Sequence, residues 1–172
     1  MSDAKSNYAN SSIAVSYVKS KMPIGASNKI GNQIRTVGLV TLRLIASRAA
    51  ADLENMVNGP DSDVIQEVLR RAYVAECYGA GNCTEQAAVA FAYLFKQEVR
   101  PIDYLSHPSH FFVAVGRKEG KGIMSSRPET WNPEAYICDP WNEVVYPASE
   151  YNSREPNTNP MLWARAESIL AR

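Results

Sequence analysis

Gly79-Ala80-Gly81-Asn82-Cys83-Thr84-Glu85-Gln86, continued by an apolar run to Phe95, is the stretch on which the fold turns. Asn82 belongs to the residue types that cap helix N-termini, and Glu85 follows at the three-residue spacing of a capping box. Ala87, Ala88, Phe91, Leu94 and Phe95 then recur at helical spacing. A helix beginning at Cys83 puts its thiol among unpaired backbone N–H groups, at the positive end of the helix dipole. Such a place favours thiolate over thiol. The glycines ahead of it allow a tight turn and leave the sulfur reachable. A cysteine before an apolar helix is most often a small core residue. The Gly-Ala-Gly-Asn lead-in and the cap position make this one a candidate nucleophile.

Upstream, Ile34, Val37, Leu44, Ile45, Ala49, Leu53 and Met56 predict a helix over Ile34 to Val57 with one apolar side. Asn58-Gly59-Pro60 ends it. Asp61, Ser62 and Asp63 open a second helix, with Asp63 and Gln66 at capping spacing. Val64, Ile65, Val68, Leu69, Ala72 and Tyr73 form its apolar face, and it stops near Cys77-Tyr78-Gly79. Residues 1 to 31 are rich in Ser, Asn, Ala and Lys, so a mobile segment is expected there. The same composition fits a non-cleaved export signal, because type III secretion signals are similarly rich in Ser and Asn. Residues 32 to 172 are expected to form one domain.

Downstream the period changes. Ile102 to Leu105 reads as a short strand after Pro101, and His107-Pro108-Ser109 as a turn. His110-Phe111-Phe112-Val113-Ala114-Val115 is apolar, aromatic and β-branched, the strongest strand in the chain. His110, Phe112 and Ala114 share one of its faces. Arg117 to Trp131 reads as a polar loop, the expected substrate-contacting segment or, equally, a plain hairpin connection. Ala135 to Cys138 is a strand that runs into the turn Asp139-Pro140-Trp141-Asn142, and Glu143 to Tyr146 is another. Ser149 to Asn159 reads as loop. Asn159-Pro160 is expected to cap a final helix that buries Leu162, Trp163, Ala166, Ile169 and Leu170. Helices first and strands after argue for an α+β fold.

Composition narrows the function classes. Lys plus Arg and Asp plus Glu number 18 each, so the formal net charge is zero. There is no basic stripe and no RNA-type aromatic motif, which leaves a nucleic-acid partner without its electrostatic footprint. The longest apolar stretch, Val37 to Ala46, is interrupted by Thr41 and Arg43 and is too short to span a bilayer. No basic segment leads into an apolar one at the N-terminus, as a secretory signal would. Three cysteines, Cys77, Cys83 and Cys138, are not a disulfide framework.

A thiol nucleophile needs a base and a group that orients it. The chain has two histidines. His107 lies in a turn before a proline, whereas His110 opens the strongest strand, a rigid mount, and is the chosen base. Asp139, where a strand meets the Pro-Trp turn, is placed to fix the imidazole tautomer. Trp141 is positioned to cover that Asp–His bond. The Cys83 backbone N–H and the Asn82 side chain are candidates to hold the oxyanion, with Gln86 one turn on as a second side-chain candidate. A zinc site from Cys77, Cys83, His107 and His110 is disfavoured, because five residues separate the cysteines and two the histidines. No metal or cofactor is expected.

Gly81-Asn82-Cys83-Thr84-Glu85-Gln86-Ala87 opening a helix, His110-Phe111-Phe112-Val113 on a strand, and Tyr136-Ile137-Cys138-Asp139-Pro140-Trp141 on the next resemble the papain-like Cys-His-Asp superfamily. The likeness is greatest to its compact bacterial effector and toxin branch: the YopT-type proteases, the OspI-type glutamine deamidases and the papain-fold domain of dermonecrotic toxins. It covers roughly residues 78 to 146. It implies a minimal papain-like core over residues 32 to 172, with the nucleophile helix packed on a small antiparallel sheet. Cys83 would be the nucleophile, His110 the general base and acid, and Asp139 the orienting residue, with Gly81 and Trp141 lining the site. The implied protein is a cysteine hydrolase, a virulence effector made in a bacterial cytoplasm and delivered into another cell. It would act on a protein of that cell, with a secretion chaperone as a further partner. Papain-type enzymes carry an oxyanion glutamine some six residues before the nucleophile, and Cys77 stands there instead. The short gap between Cys83 and His110 leaves little room for an extended substrate lobe, which favours deamidation of a glutamine side chain over peptide cleavage. An idle site in a non-enzymatic interaction module, and an acyltransferase or transglutaminase with the same triad, are the alternatives.

Overall fold

The computed structural model describes residues 3–26, 29, 31, 39–58, 63–118, 127–156 and 158–167. Its architecture is α+β. Helices α1 (Ala4–Lys21), α2 (Leu39–Asn58), α3 (Val64–Tyr78) and α4 (Cys83–Lys96) precede an antiparallel sheet. The sheet holds β1 (Ile102–His107), β2 (His110–Val115), β3 (Tyr136–Asp139), β4 (Val144–Pro147) and β5 (Met161–Ala166), in the order β4-β3-β2-β1-β5.

α4 is the central helix. Ala87, Ala88, Val89, Ala90, Phe91 and Leu94 are all buried, so it is apolar around most of its circumference, as a helix covered on several sides must be. α1 and α3 flank it, and the sheet lies against it through Ile102, Tyr104, Val113 and Val115. The other sheet face carries a second apolar layer of Leu105, Phe112, Ala114, Ile137, Tyr146 and Tyr151. Alternate residues of β2 thus serve opposite layers, as the period of two requires.

Local chemistry sets the ends of these elements. Asp63 caps α3 by accepting from Ile65 N at 2.9 Å. α3 stops at Gly79, whose φ of 65° lies in the left-handed region where a side chain is strained, and whose N–H returns to the Ala75 carbonyl. Pro108 and Ser109 close a two-residue hairpin between β1 and β2, with His107 opposite His110.

Three expectations are corrected. The segment expected to be mobile contains α1, with Ala14, Val15 and Val18 in the main core. Its buried stripe is Asn7, Ser11, Ala14, Val15 and Val18, so polar residues hold inward helical positions and disguise the pattern. Asn7 Nδ2 donates to the Glu134 carbonyl at 2.8 Å. The expected last helix is β5, which pairs with the edge of β1. Unpaired β1 backbone groups outweigh the helical spacing, and Arg165 reaches across to the buried Asp103, which also binds Arg117. The expected loop after Ser149 includes a helical turn, Tyr151–Arg154, whose Tyr151 is buried.

The apolar faces are also narrower than expected. Leu44 and Val68 point inward, but Ile45, Val64 and Tyr73 are exposed. Ile34, Val37, the Gly59-Pro60 stop and the opening Asp61 and Ser62 lie outside the described residues, as do residues 119–126 of the polar loop and Ile169 and Leu170.

Candidate functional site

Cys83 is the first residue of α4, held there by a capping box in which Glu85 Oε2 accepts from Asn82 N at 2.8 Å. Three neighbours brace this start. From α2, Arg48 pairs with Glu85 at 3.1 Å and Arg43 donates to the Tyr78 carbonyl at 3.0 Å. After α1, Gly25 and Ala80 form a parallel bridge, with Gly81 N donating to Gly25 O and Ile24 N to Gly79 O. Gly81 has no room for a side chain: a Cβ there would lie 2.4 Å from Glu85 Cβ and 2.6 Å from Met22 Cε. Tyr104 Oη from β1 donates to the Thr84 carbonyl at 2.9 Å and ties the helix start to the sheet.

His110 opens β2, and its Nε2 is 2.8 Å from Asp139 Oδ2 at the end of β3. The sulfur of Cys83 interacts with the same imidazole, with the Phe111 backbone N–H and with the Thr84 hydroxyl. Because Nε2 faces the carboxylate, Nδ1 is the nitrogen left for the sulfur. Three elements distant in sequence thus converge as sulfur, imidazole and carboxylate.

The charges reinforce one another. Burial pushes the Cys83 thiol up, but the His110 hydrogen bond, the Phe111 N–H, the imidazolium charge and Thr84 together bring it below its ordinary value. Burial pushes His110 down, yet its bonds to Asp139 and Cys83 and their charges raise it to about 9. The pair therefore titrates as a unit, and both shifts run in the direction that favours thiolate beside imidazolium. Cys138 behaves oppositely: it is fully buried, donates to the Ser11 carbonyl, and burial raises its pKa, so it is inert.

Asp139 is held in turn by Asn142, whose backbone N donates to Oδ1 at 3.1 Å and whose Nδ2 donates to Oδ2 at 2.7 Å. The Trp141 ring stands 5.4 Å from the His110 ring at 60°. Lys29 Nζ lies 4.4 Å over that indole and donates to its carbonyl. A cleft of about 470 Å³ beside Gln86 and Trp141 is bordered by Met22, Lys29 and Glu143.

The proposed oxyanion groups separate. Asn82 is the cap residue of α4, in extended conformation. Gln86 Nε2 donates to the Gly81 carbonyl at 2.9 Å, so it braces the turn before Cys83. The backbone N–H of Cys83, at an open helix end, is the donor best placed by its element. His107 is buried beside His110, with ring centroids 5.6 Å apart, but its Nε2 is turned to Glu155 Oε2 at 3.7 Å, and burial lowers its pKa. Among the described residues no group of three or more His, Cys, Asp or Glu is placed to hold a metal, and no helix is long and apolar enough to cross a membrane.

Asn142, Arg48 and Lys29 were not identified from the sequence. Asn142 had a readable signal, an Asx residue three places after a strand-end Asp in a Pro-containing turn. Arg48 and Lys29 reach the site only through tertiary packing. A scan against protein-family models gives no match for this chain, and neither does a search of curated proteins.

Proposed function

We propose that the chain is a thiol-dependent amide hydrolase acting on a protein substrate, with the glutamine side-chain amide favoured over the peptide bond. The observation that carries this is the meeting of Cys83, His110 and Asp139, each at the terminus of its own element, with the thiol lowered and the imidazole raised. A thiol shifted down beside an imidazole shifted up is what nucleophilic catalysis needs.

The Cys83 thiolate adds to the amide carbonyl carbon, forming the C–S bond as the carbonyl electron pair moves to oxygen. The oxyanion is held by the Cys83 N–H. His110 Nδ1 gives its proton to the amide nitrogen, the C–N bond breaks and ammonia leaves. Water then attacks the thioester, losing its proton to His110, and the carboxylate product departs as Cys83 is restored. Asp139 keeps the ring turned throughout, and Asn142 keeps Asp139 turned. A backbone amide follows the same steps with a new N-terminus as leaving group.

The test is incubation of the protein and of Cys83→Ala with a cell lysate, followed by a proteome-wide search for Gln converted to Glu and for new termini. Conversion by the wild type alone supports deamidation, and new termini alone redirect the proposal to cleavage. Gln residues joined to amines redirect it to acyl transfer. No difference from Cys83→Ala, with Cys83 no more reactive to iodoacetamide than the exposed Cys77, sinks the enzyme reading.

A further inference from the structure

β5 carries a register break that serves a side chain. Tyr104 of β1 pairs with Ala164, and Leu105 pairs with Leu162, so Trp163 is an extra residue bulged from the ladder. A bulge re-aims the side chain of its extra residue. Ala164 and Ala166 join the layer facing α4, while Leu162 joins the opposite layer. Trp163 is turned towards the α4 side, where its ring centroid lies 5.9 Å from that of Phe111. Its Nε1 donates to the buried Ser106 Oγ at 2.6 Å, which fixes the ring's angle. Trp163 is nevertheless 51% exposed, and the neighbouring Met161 is 60% exposed.

Two features make this more than a stray surface aromatic. First, the one polar atom of the indole is already bonded inward, so the exposed part offers only apolar and π surface. Second, the ledge adjoins the candidate site: Phe111, against which Trp163 leans, follows His110 on β2, and its ring lies 5.3 Å from that of Tyr104, whose hydroxyl donates to the Thr84 carbonyl beside Cys83. Trp141 stands against His110, a partner of the Cys83 sulfur.

We propose that Trp163, with Phe111 beneath it, is a specificity ledge that receives an apolar side chain of the protein substrate close to the residue attacked by Cys83. The proposal rests on the thiol-hydrolase reading. The occupant is apolar because the exposed indole face is apolar and its N–H is already bonded to Ser106. The fixed indole binds without losing rotamer freedom, so the contact favours affinity and selectivity.

The test uses N-(phenylalkyl)iodoacetamides of increasing arm length and their N-(hydroxyalkyl) counterparts, with alkylation of Cys83 followed by peptide mapping. In the wild type, one range of arm lengths is expected to show roughly tenfold faster alkylation for phenyl than for hydroxyl, the scale of a single apolar contact. Trp163→Gln should abolish that ratio and Trp163→Phe should keep part of it, while plain iodoacetamide reacts at Cys83 equally in all three. Equal rates for both arms in the wild type, or a ratio that survives Trp163→Gln, overturns the ledge. Plain iodoacetamide reacting no faster at Cys83 than at Cys77 overturns the underlying thiol reading instead. The two failures are read from different reagents.

Discussion

Asp139 accepts three hydrogen bonds, one from His110 and two from Asn142, and each partner has a different consequence. The His110 bond is one of the contacts that raise the imidazole to about 9, and the charged imidazole is part of what lowers Cys83. Asp139→Asn should therefore lower the His110 pKa and move the onset of Cys83 alkylation to higher pH, measured with iodoacetamide across a pH series. Amide turnover in the same variant should fall by roughly a thousandfold or more, the order lost when the orienting carboxylate of a triad is replaced. The pH profiles of the two readouts should differ in shape. Alkylation needs only thiolate, so it rises with pH from below the ordinary thiol range and then levels. Turnover also needs the protonated imidazole to release the amine, so it declines as pH rises through about 9. A turnover profile still climbing beyond that point would show that His110 is not the acid. These three residues were legible because each sits at an element end governed by short-range rules: a cap, the first position of a strand, and a strand-to-turn junction. Gln86 is less directly legible, because the spacing that brings it near Cys83 equally lets it reach back to the Gly81 carbonyl, the bond its Nε2 makes.

At the scale of elements, the start of α4 is braced from α2, from the strap after α1 and from β1, so small changes there should report on the site without touching the triad. Gly81→Ala places a methyl group 2.4 Å from Glu85 Cβ, within the turn of helix that forms the capping box. The clash must displace the helix start and should cost about 1–3 kcal/mol, as overpacking does. Thermal melting checks the stability, and slower iodoacetamide alkylation at Cys83 checks the displacement. Asn82→Ala should cost about 1 kcal/mol through loss of the cap. If it also lowered turnover far beyond its effect on alkylation, Asn82 would return as an oxyanion donor. Helices α3 and α4 were readable because their caps and periods agree. β5 was not, since Leu162, Trp163 and Ala166 fit a helical spacing and the bulge at Trp163 breaks the alternation that marks a strand. What decides the matter is the open edge of β1, which lies some 60 residues earlier in the chain.

On the scale of the whole molecule, the N-terminal segment is where composition misleads most and where the structure makes its strongest demand. α1 places Val15, Val18 and, just beyond it, Met22 in the main core, with α1 against α4, β3 and β4, and Asn7 reaches the Glu134 carbonyl just ahead of β3. Burial of three such side chains is worth roughly 5–9 kcal/mol at about 1.5–3 kcal/mol each. That is comparable with the entire stability of an ordinary domain, roughly 5–15 kcal/mol. Deletion of residues 1–22 should therefore abolish cooperative thermal unfolding followed by circular dichroism, and Val18→Asp should do nearly the same by forcing a charge into the core. The deletion also removes the chain that leads into the Gly25–Ala80 bridge, so Cys83 should lose its elevated reactivity along with the fold. Asn7→Ala offers a milder measure of the same dependence: it strands a carbonyl partner and should cost about 1–3 kcal/mol while leaving the transition cooperative. A truncated chain that melts within a few degrees of the full-length protein, with Cys83 still fast, would mean that the first helix is an appendage and that the nucleophile turn is supported by α2 and β1 alone.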